Sequence, residues 1–210
     1  MKIYKFEEEQ IMESIQSAEQ KTSGQIAWAV FQRSSSYEDV PFKSGLFVAF
    51  LGVILGMVFG KIHGWGYEYA LGEVFLSFIL GMFLAKIPHV RRLFISKERM
   101  RRRVEERAFA TFVRSNVHTT KLNNGVLIFV SMFEKMVIIV ADVGANNIPD
   151  SKKVWNGMID TILQSMKRTR LSVGIKRAIL MCGDFLGKHF PRTPDTQNEI
   201  QDTLIKDGTE

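Results

Sequence analysis

A chain of 210 residues with 24% charged and 46% hydrophobic side chains is long enough to bury a core and too apolar to stay disordered. Its single cysteine excludes an internal disulfide framework and any metal site that needs several cysteines. The net charge of +6 favours an anionic partner only where the basic residues are clustered. A mean hydropathy of zero in so charged a chain indicates that some segments are very hydrophobic.

The N-terminal part predicts a helix followed by a strand. Residues 7–21 form an amphipathic helix, because Ile11, Ile15 and Ala18 recur on one helical face. Residues 25–32 are apolar on both faces, as expected of a strand in a sheet that is covered on both sides. Acidic residues stand where a signal peptide needs a basic patch, so we expect no signal peptide.

Two apolar blocks, residues 45–60 and 70–87, predict a transmembrane helical hairpin within 41–92. Lys43 and Lys61 at the two interfaces extend the first span to about 43–62. The second block is long enough by itself and gives a span of about 69–87, with Glu73 in its first turn. The alternative is a pair of buried helices inside a soluble core. Glycines every four residues in the first block predict a packing surface, either within one hairpin or between two copies as a homodimer. These glycines are Gly52, Gly56 and Gly60.

Basic residues are concentrated after the second block. Between Lys86 and Lys121, eleven Lys and Arg stand against three Glu. The positive-inside rule therefore predicts an inner-membrane protein with both termini in the cytoplasm and residues 61–69 outside. Anionic lipid headgroups are the nearest counter-charge. We expect no nucleic acid, because no stacking aromatics are interleaved with the arginines. The predicted lipid-facing cluster is Arg91, Arg92, Lys97, Arg99, Arg101, Arg102 and Arg103.

The second half predicts a further helix, a β-hairpin and two closing helices. Apolar spacing predicts the first helix from Ser96 to about Val117. Two β-rich runs, 125–131 and 136–141, are joined by four residues and predict the β-hairpin. The closing helices are predicted over 148–167 and 172–189.

Together these elements predict an α/β/α sandwich with a small mixed sheet, split by the inserted hairpin. The first two strands, connected through a long crossover helix, can lie parallel, and the last pair is antiparallel. Residues 1–40 and 93–201 then form one discontinuous cytoplasmic domain, with 41–92 inserted in a crossover connection. Residues 202–210 are predicted to be a flexible tail.

A set of short motifs runs in order along the predicted domain. The motifs are Ala18-Glu19 with Thr22-Ser23-Gly24, Asn124-Gly125-Val126-Leu127-Ile128-Phe129-Val130-Ser131, Ile139-Val140-Ala141-Asp142-Val143-Gly144, Trp155, Cys182-Gly183-Asp184, His189-Phe190-Pro191 and Asn198-Glu199-Ile200. This set resembles the TPM domain family, and more closely its bacterial integral-membrane branch. The resemblance covers nearly all of residues 5–201. It departs from the family pattern at Gln25, where the family often has glutamate after Ser-Gly, so an acid or metal role at that position is in doubt.

The resemblance implies a compact α/β sandwich and little about function. Lumenal plant relatives are linked to photosystem repair and to a phosphatase-like activity, and an animal relative to receptor modulation. What it implies for this chain is therefore a choice between an interaction module and a phosphatase.

The sequence offers few groups for catalysis. Cys182 falls on the apolar stripe of its helix and is interpreted as a core residue. A hard cation, Ca²⁺ or Mg²⁺, prefers oxygen ligands, and Asp142 with neighbouring loop oxygens would supply two or three. The candidate catalytic residues are Asp142, Asn124 and Ser23, with Asp142 also the candidate metal ligand. The alternative is that 123–125 make a turn and that Asp142 caps the next loop.

Two functions follow from these patterns. The first is a membrane-anchored TPM-like protein that serves as an interaction, assembly or maintenance module for an unidentified membrane or cytoplasmic protein. The alternative is a divalent-cation-dependent phosphatase acting at the cytoplasmic membrane surface.

Overall fold

The structure, a computed structural model, has the mixed α/β architecture that the sequence predicts. It describes residues 5–63, 70–168, 170–192 and 205–206. The helices are α1 (Lys5–Glu19), α2 (Asp39–His63), α3 (Ala70–Leu84), α4 (Pro88–Leu93), α5 (Lys97–Arg114), α6 (Val143–Asn146), α7 (Ser151–Lys167) and α8 (Leu171–His189). The strands are β1 (Ile26–Phe31), β2 (Val126–Ser131), β3 (Met136–Ala141) and β4 (Ile205–Lys206). The helices α4 and α6 are short additions that periodicity does not predict.

The chain divides into two compact units. The head unit comprises Met1–Ser34 and Arg101–Glu210, and the hairpin unit comprises Ser35–Met100. Residues 35–40 and 93–100, predicted as parts of the head domain, therefore belong to the hairpin unit. The predicted boundaries followed hydropathy; the ion pair between Asp39 and Arg99 joins these two segments to each other.

The sheet has the strand order β3-β2-β1-β4. The strand β1 runs parallel to β2, with Ile26 aligned to Val126. The strand β2 runs antiparallel to β3, with Val126 aligned to Ala141. Both predicted directions are confirmed. The two residues of β4 lie inside the tail predicted to be flexible and pair in parallel with β1; the rest of 202–210 lies outside the described residues.

Two separate cores lie on the two faces of the sheet. Successive side chains of a strand point to opposite faces, so Ile26 and Trp28 enter one core while Ala27 and Phe31 enter the other. The first core is completed by α1, α7 and α8, and the second by the part of α5 from Val104 onward. The head unit is therefore a three-layered α/β arrangement, which explains why β1 and β2 are apolar on both faces.

The second apolar helix is shorter than the sequence predicts. The predicted span of 69–87 gives way to α3, which ends at Leu84, followed by tight turns and then by α4. The cause is Pro88, since a residue that precedes proline is pushed out of the helical conformation, and Ile87 is extended. The predicted outer loop, 61–69, is described only as far as His63, where α2 ends.

Candidate functional site

The two apolar helices pack through small residues. A Cβ added at Gly52 would lie 2.5 Å from the Ser77 hydroxyl, and one added at Gly56 would lie within 3 Å of the Glu73 carboxylate. Gly60, the third predicted glycine, is half-buried one turn further along α2. The faces of Gly52 and Gly56 are thus occupied within one hairpin, which leaves them no room for a second copy.

Two glycines of α3 allow a direct test of this packing. A Cβ at Gly81 would lie 2.6 Å from the backbone oxygen of Ser44, whereas a Cβ at Gly72 would meet nothing within 4 Å. We expect Gly81→Ala to destabilise the hairpin by about 1–3 kcal/mol, since backbone cannot move aside as a side chain does. The matched variant Gly72→Ala should raise stability by up to about 1 kcal/mol through helix propensity. Thermal unfolding in detergent measures both, and equal effects would contradict the close contact.

The outer surfaces of the same helices are apolar and uncovered. The largest exposed side chains include Phe50 at 64%, Met57 at 69%, Phe75 at 67% and Leu76 at 69% exposure. By length and composition, Asp39–Ile62 is the one helix of the described residues that is long and apolar enough to cross a bilayer. The apolar helix Leu71–Leu84 is shorter than that criterion requires.

A group of ion pairs connects the start of α2 with the start of α5 in the hairpin unit. Both terminal nitrogens of Arg99 donate to Asp39 at 2.7 Å, and the Lys43 ammonium lies 2.7 Å from the same carboxylate. The hydrogen bond to Asp39 raises the pKa of Arg99, so the pair stays charged. Arg91 donates to the backbone oxygens of Ser36 and Tyr37. This group, Asp39, Lys43, Arg91 and Arg99, is hereafter the basal cluster.

The predicted lipid-facing cluster is therefore largely committed to partners within the chain. Arg91 and Arg99 belong to the basal cluster and have partners there; their predicted role as lipid-facing residues stays a prediction. Arg101 and Arg103 pair with Glu105 and Glu106, and Arg102 lies 3.8 Å from Glu106. Because these helix pairs are exposed, each is worth at most a fraction of a kcal/mol. Lys97, Arg101 and Arg102 are exposed, whereas Arg92 and Arg103 are half-buried.

The three candidate catalytic residues lie at one end of the sheet but do not form one site. Asp142 follows β3 and Asn124 precedes β2, and the Asp142 amide donates to the Gly125 carbonyl at 2.9 Å. Ser23 instead uses its amide to hold the Phe190 carbonyl at 2.9 Å. Ser23 thus anchors the end of α8. The structure brings Asn124 and Asp142 to neighbouring loops and gives Ser23 a structural partner.

The two loop residues have largely structural contacts. One carboxylate oxygen of Asp142 accepts from the Val143 amide at 2.7 Å and caps α6. The backbone amide of Asn124 donates to the Thr120 hydroxyl oxygen at 3.0 Å. The second Asp142 oxygen and the Asn124 side-chain nitrogen are buried without a partner in the described part of the chain. No set of three or more His, Cys, Asp or Glu residues that could hold a metal occurs among the described residues.

The lone thiol is unsuited to nucleophilic chemistry. Cys182 is fully buried on α8 within the first core. Burial raises the pKa of the Cys182 thiol far above its ordinary value, and the nearby Glu19 carboxylate adds to the effect. A thiol that stays protonated is a poor nucleophile, which agrees with its interpretation as a core residue.

A buried carboxylate that sequence reasoning missed lies at the opposite end of the sheet. Glu134, in the turn between β2 and β3, is 1% exposed. It accepts hydrogen bonds from the Ser131 hydroxyl and, at 3.0 Å, from the Ser34 amide. The Ser34 hydroxyl also donates to that of Ser131 at 2.9 Å. These contacts fix the point where the chain leaves the head unit. The four-residue turn was visible in the sequence, but the inward direction of Glu134 was not.

Comparison with solved structures supports the fold. The chain is similar to the BA42 protein from the psychrophilic bacterium Bizionia argentinensis, whose structure was determined by NMR. The two superpose with a TM-score of 0.62 at 22% identity, over 99% of this chain and 97% of that chain. At this identity the likeness establishes the fold alone. No protein-family model matches the chain, and no curated protein matches it.

Proposed function

We propose that this chain is a membrane-anchored interaction module, whose α2–α3 hairpin enters the lipid of a bacterial inner membrane while the head unit remains in the cytoplasm. We further propose, from its ordered motifs, that the head belongs to the TPM domain family. The observation that carries the anchoring proposal is the row of large exposed apolar side chains along α2 and α3. Soluble proteins rarely expose continuous apolar surfaces of this extent.

The helix lengths are compatible with a hairpin that crosses the bilayer, provided that the bilayer is thin or that the hairpin thins it locally. The 25 residues of α2 are enough for a hydrocarbon core of about 30 Å. The 15 residues of α3 rise roughly 22 Å, so α3 needs the residues of the turn after Leu84, where Lys86 can reach the interface, or local thinning of the bilayer. The basal cluster, at the end of the hairpin where both apolar helices connect to the rest of the chain, then lies at one membrane surface. The excess of Lys and Arg that follows the second apolar block in the sequence supports a cytoplasmic location for that surface.

Fractionation and a reporter fusion test the anchoring and its orientation separately. We expect the full chain to sediment with membranes after carbonate washing and to need detergent for release. A reporter fused after Glu210 should be active only if it folds in the cytoplasm. Recovery of monomeric protein in the detergent-free supernatant would overturn the anchoring, whereas activity of a periplasmic reporter would overturn only the orientation.

The phosphatase is the second candidate, and one observation favours it: two unpartnered polar atoms lie on neighbouring loops, on Asn124 and Asp142. The cap geometry of Asp142 favours a structural role instead. We expect Asp142→Ala to cost about 1 kcal/mol of unfolding free energy through loss of the α6 cap, with no phosphate ester hydrolysed in Mg²⁺ or Ca²⁺ by either protein. Asp142→Asn can still cap α6 and should therefore lower the unfolding free energy by less. Hydrolysis by the parent chain that disappears in both variants would support the phosphatase.

A further inference from the structure

Among the residues that the structure describes, the outer edge of β1 has few strand partners. The strand pairs with β2 along all six residues, Ile26–Phe31. On its other side, the described residues supply only Ile205 and Lys206, aligned with Ala29 and Val30. An uncovered strand edge is a template for another extended chain.

The hydrogen bonds to β2 show which backbone groups face this edge. The carbonyls of Gln25 and Phe31 accept from residues 126 and 132, each at 2.9 Å. Backbone groups alternate sides along a strand, so odd-numbered residues face β2 and even-numbered residues face the outer edge. The amide of Ile26, at the start of that edge, already donates to the Glu19 carboxylate at 3.0 Å.

We infer that this edge is a strand-docking site whose occupant is the chain's own C-terminal segment, 202–210. Glu19 closes one end of the edge, so an incoming strand is confined to the part beyond Ile26. The described contact, a parallel pairing of residues 205 and 206 with Ala29 and Val30, is what assigns this segment to the edge. Main-chain pairing at a sheet edge is a common mode of peptide recognition.

This inference names the docking surface of the proposed interaction module. It concerns the head unit alone, so its test does not depend on whether the hairpin enters lipid. The register also dictates which amide of the occupant matters. Residue 205 is aligned with Ala29, whose own backbone groups face β2. The amide of residue 205 therefore points toward β1 between Trp28 and Val30, and the amide of residue 206 points away.

The test uses a synthetic peptide of residues 202–210 and a chain that ends at Gln201, both studied in detergent. We expect the labelled peptide to bind the shortened chain by fluorescence anisotropy, and to bind the full chain at least about tenfold more weakly, because there the edge is filled. Methylation of the peptide amide at 205 should weaken binding about tenfold, as expected for a lost backbone hydrogen bond. Methylation at 206 is the matched control and should have little effect.

Several results would overturn the inference. One is absence of binding to a shortened chain that circular dichroism shows to be folded, and another is an equal loss from the two methylated peptides. A shortened chain that dimerises and excludes the peptide would identify a second copy as the occupant instead. If the shortened chain does not fold, hydrogen exchange on the full chain decides: the amide of residue 205 should be protected more strongly than that of residue 206, and the reverse order would refute the docking.

Discussion

Leu55→Arg should shift the membrane insertion of α2 by about 3 kcal/mol, a factor of roughly 100, toward the uninserted state. Leu55 lies near the middle of α2 with 55% of its surface exposed. At the centre of a spanning helix, arginine costs about 2.5–3.5 kcal/mol and leucine contributes about 0.3–0.6 in favour. We expect less of the variant than of the parent chain in the carbonate-washed membrane pellet, with the missing protein aggregated or degraded.

The sign of this change distinguishes lipid from water as the surroundings of α2. If α2 were exposed to water, arginine in place of an exposed leucine would improve solubility and leave the fold unchanged. Leu180→Arg is the matched control, because Leu180 is also partly exposed but lies on α8 of the head unit. That variant should fractionate like the parent chain. A soluble, well-folded Leu55→Arg protein would contradict membrane insertion.

The sequence predicted the helices and strands of the head unit well, because the spacing of apolar residues in its helices and the apolar runs of its strands are both local patterns. Strands apolar on both faces, as in β1 and β2, require helices above and below the sheet, and the long connection between them permits parallel pairing. The end of α3 could also have been predicted, since Ile87-Pro88 is a local signal that stops a helix. Hydropathy alone overlooked it, because apolar residues, Ala85 and Ile87, continue past the end of the helix.

The polar contacts were harder to predict. Arg101 and Glu105 are four residues apart, so their helical pairing was visible in the sequence. Asp39 and Arg99 are sixty residues apart, and no local pattern connects them. For the same reason the sequence indicated a basic cluster but could not say which of its residues already had partners. The candidate site could not be predicted for the same reason. To place Asn124 beside Asp142 one must know the directions of the strands, and to predict the hydrogen bond from Ser23 to Phe190 one must know where α8 lies.

Trp28→Ala should lower the unfolding free energy of the head unit by about 3–5 kcal/mol, since Trp28 is among the largest fully buried side chains and truncation leaves a cavity. Chemical denaturation in detergent, followed by far-ultraviolet circular dichroism, measures the change. The Trp28 indole nitrogen has no acceptor among the described residues. Trp28→Phe therefore breaks no hydrogen bond. We expect it to lower the unfolding free energy by less than about 1.5 kcal/mol, as other replacements of one hydrophobic side chain by another do.

The pair of variants also separates packing from strand docking. Trp28 lies between Ile26 and Val30 on β1, and its side chain enters the first core while its backbone faces the outer edge. If core packing keeps β1 flat and in register, the phenylalanine variant shortened after Gln201 should bind the 202–210 peptide almost as well as its parent, because backbone groups make the contact. The alanine variant should bind it weakly. An equal loss of peptide binding in the two variants would mean that the peptide contacts the indole ring itself. A decrease in unfolding free energy below about 1 kcal/mol in Trp28→Ala would contradict the packed core.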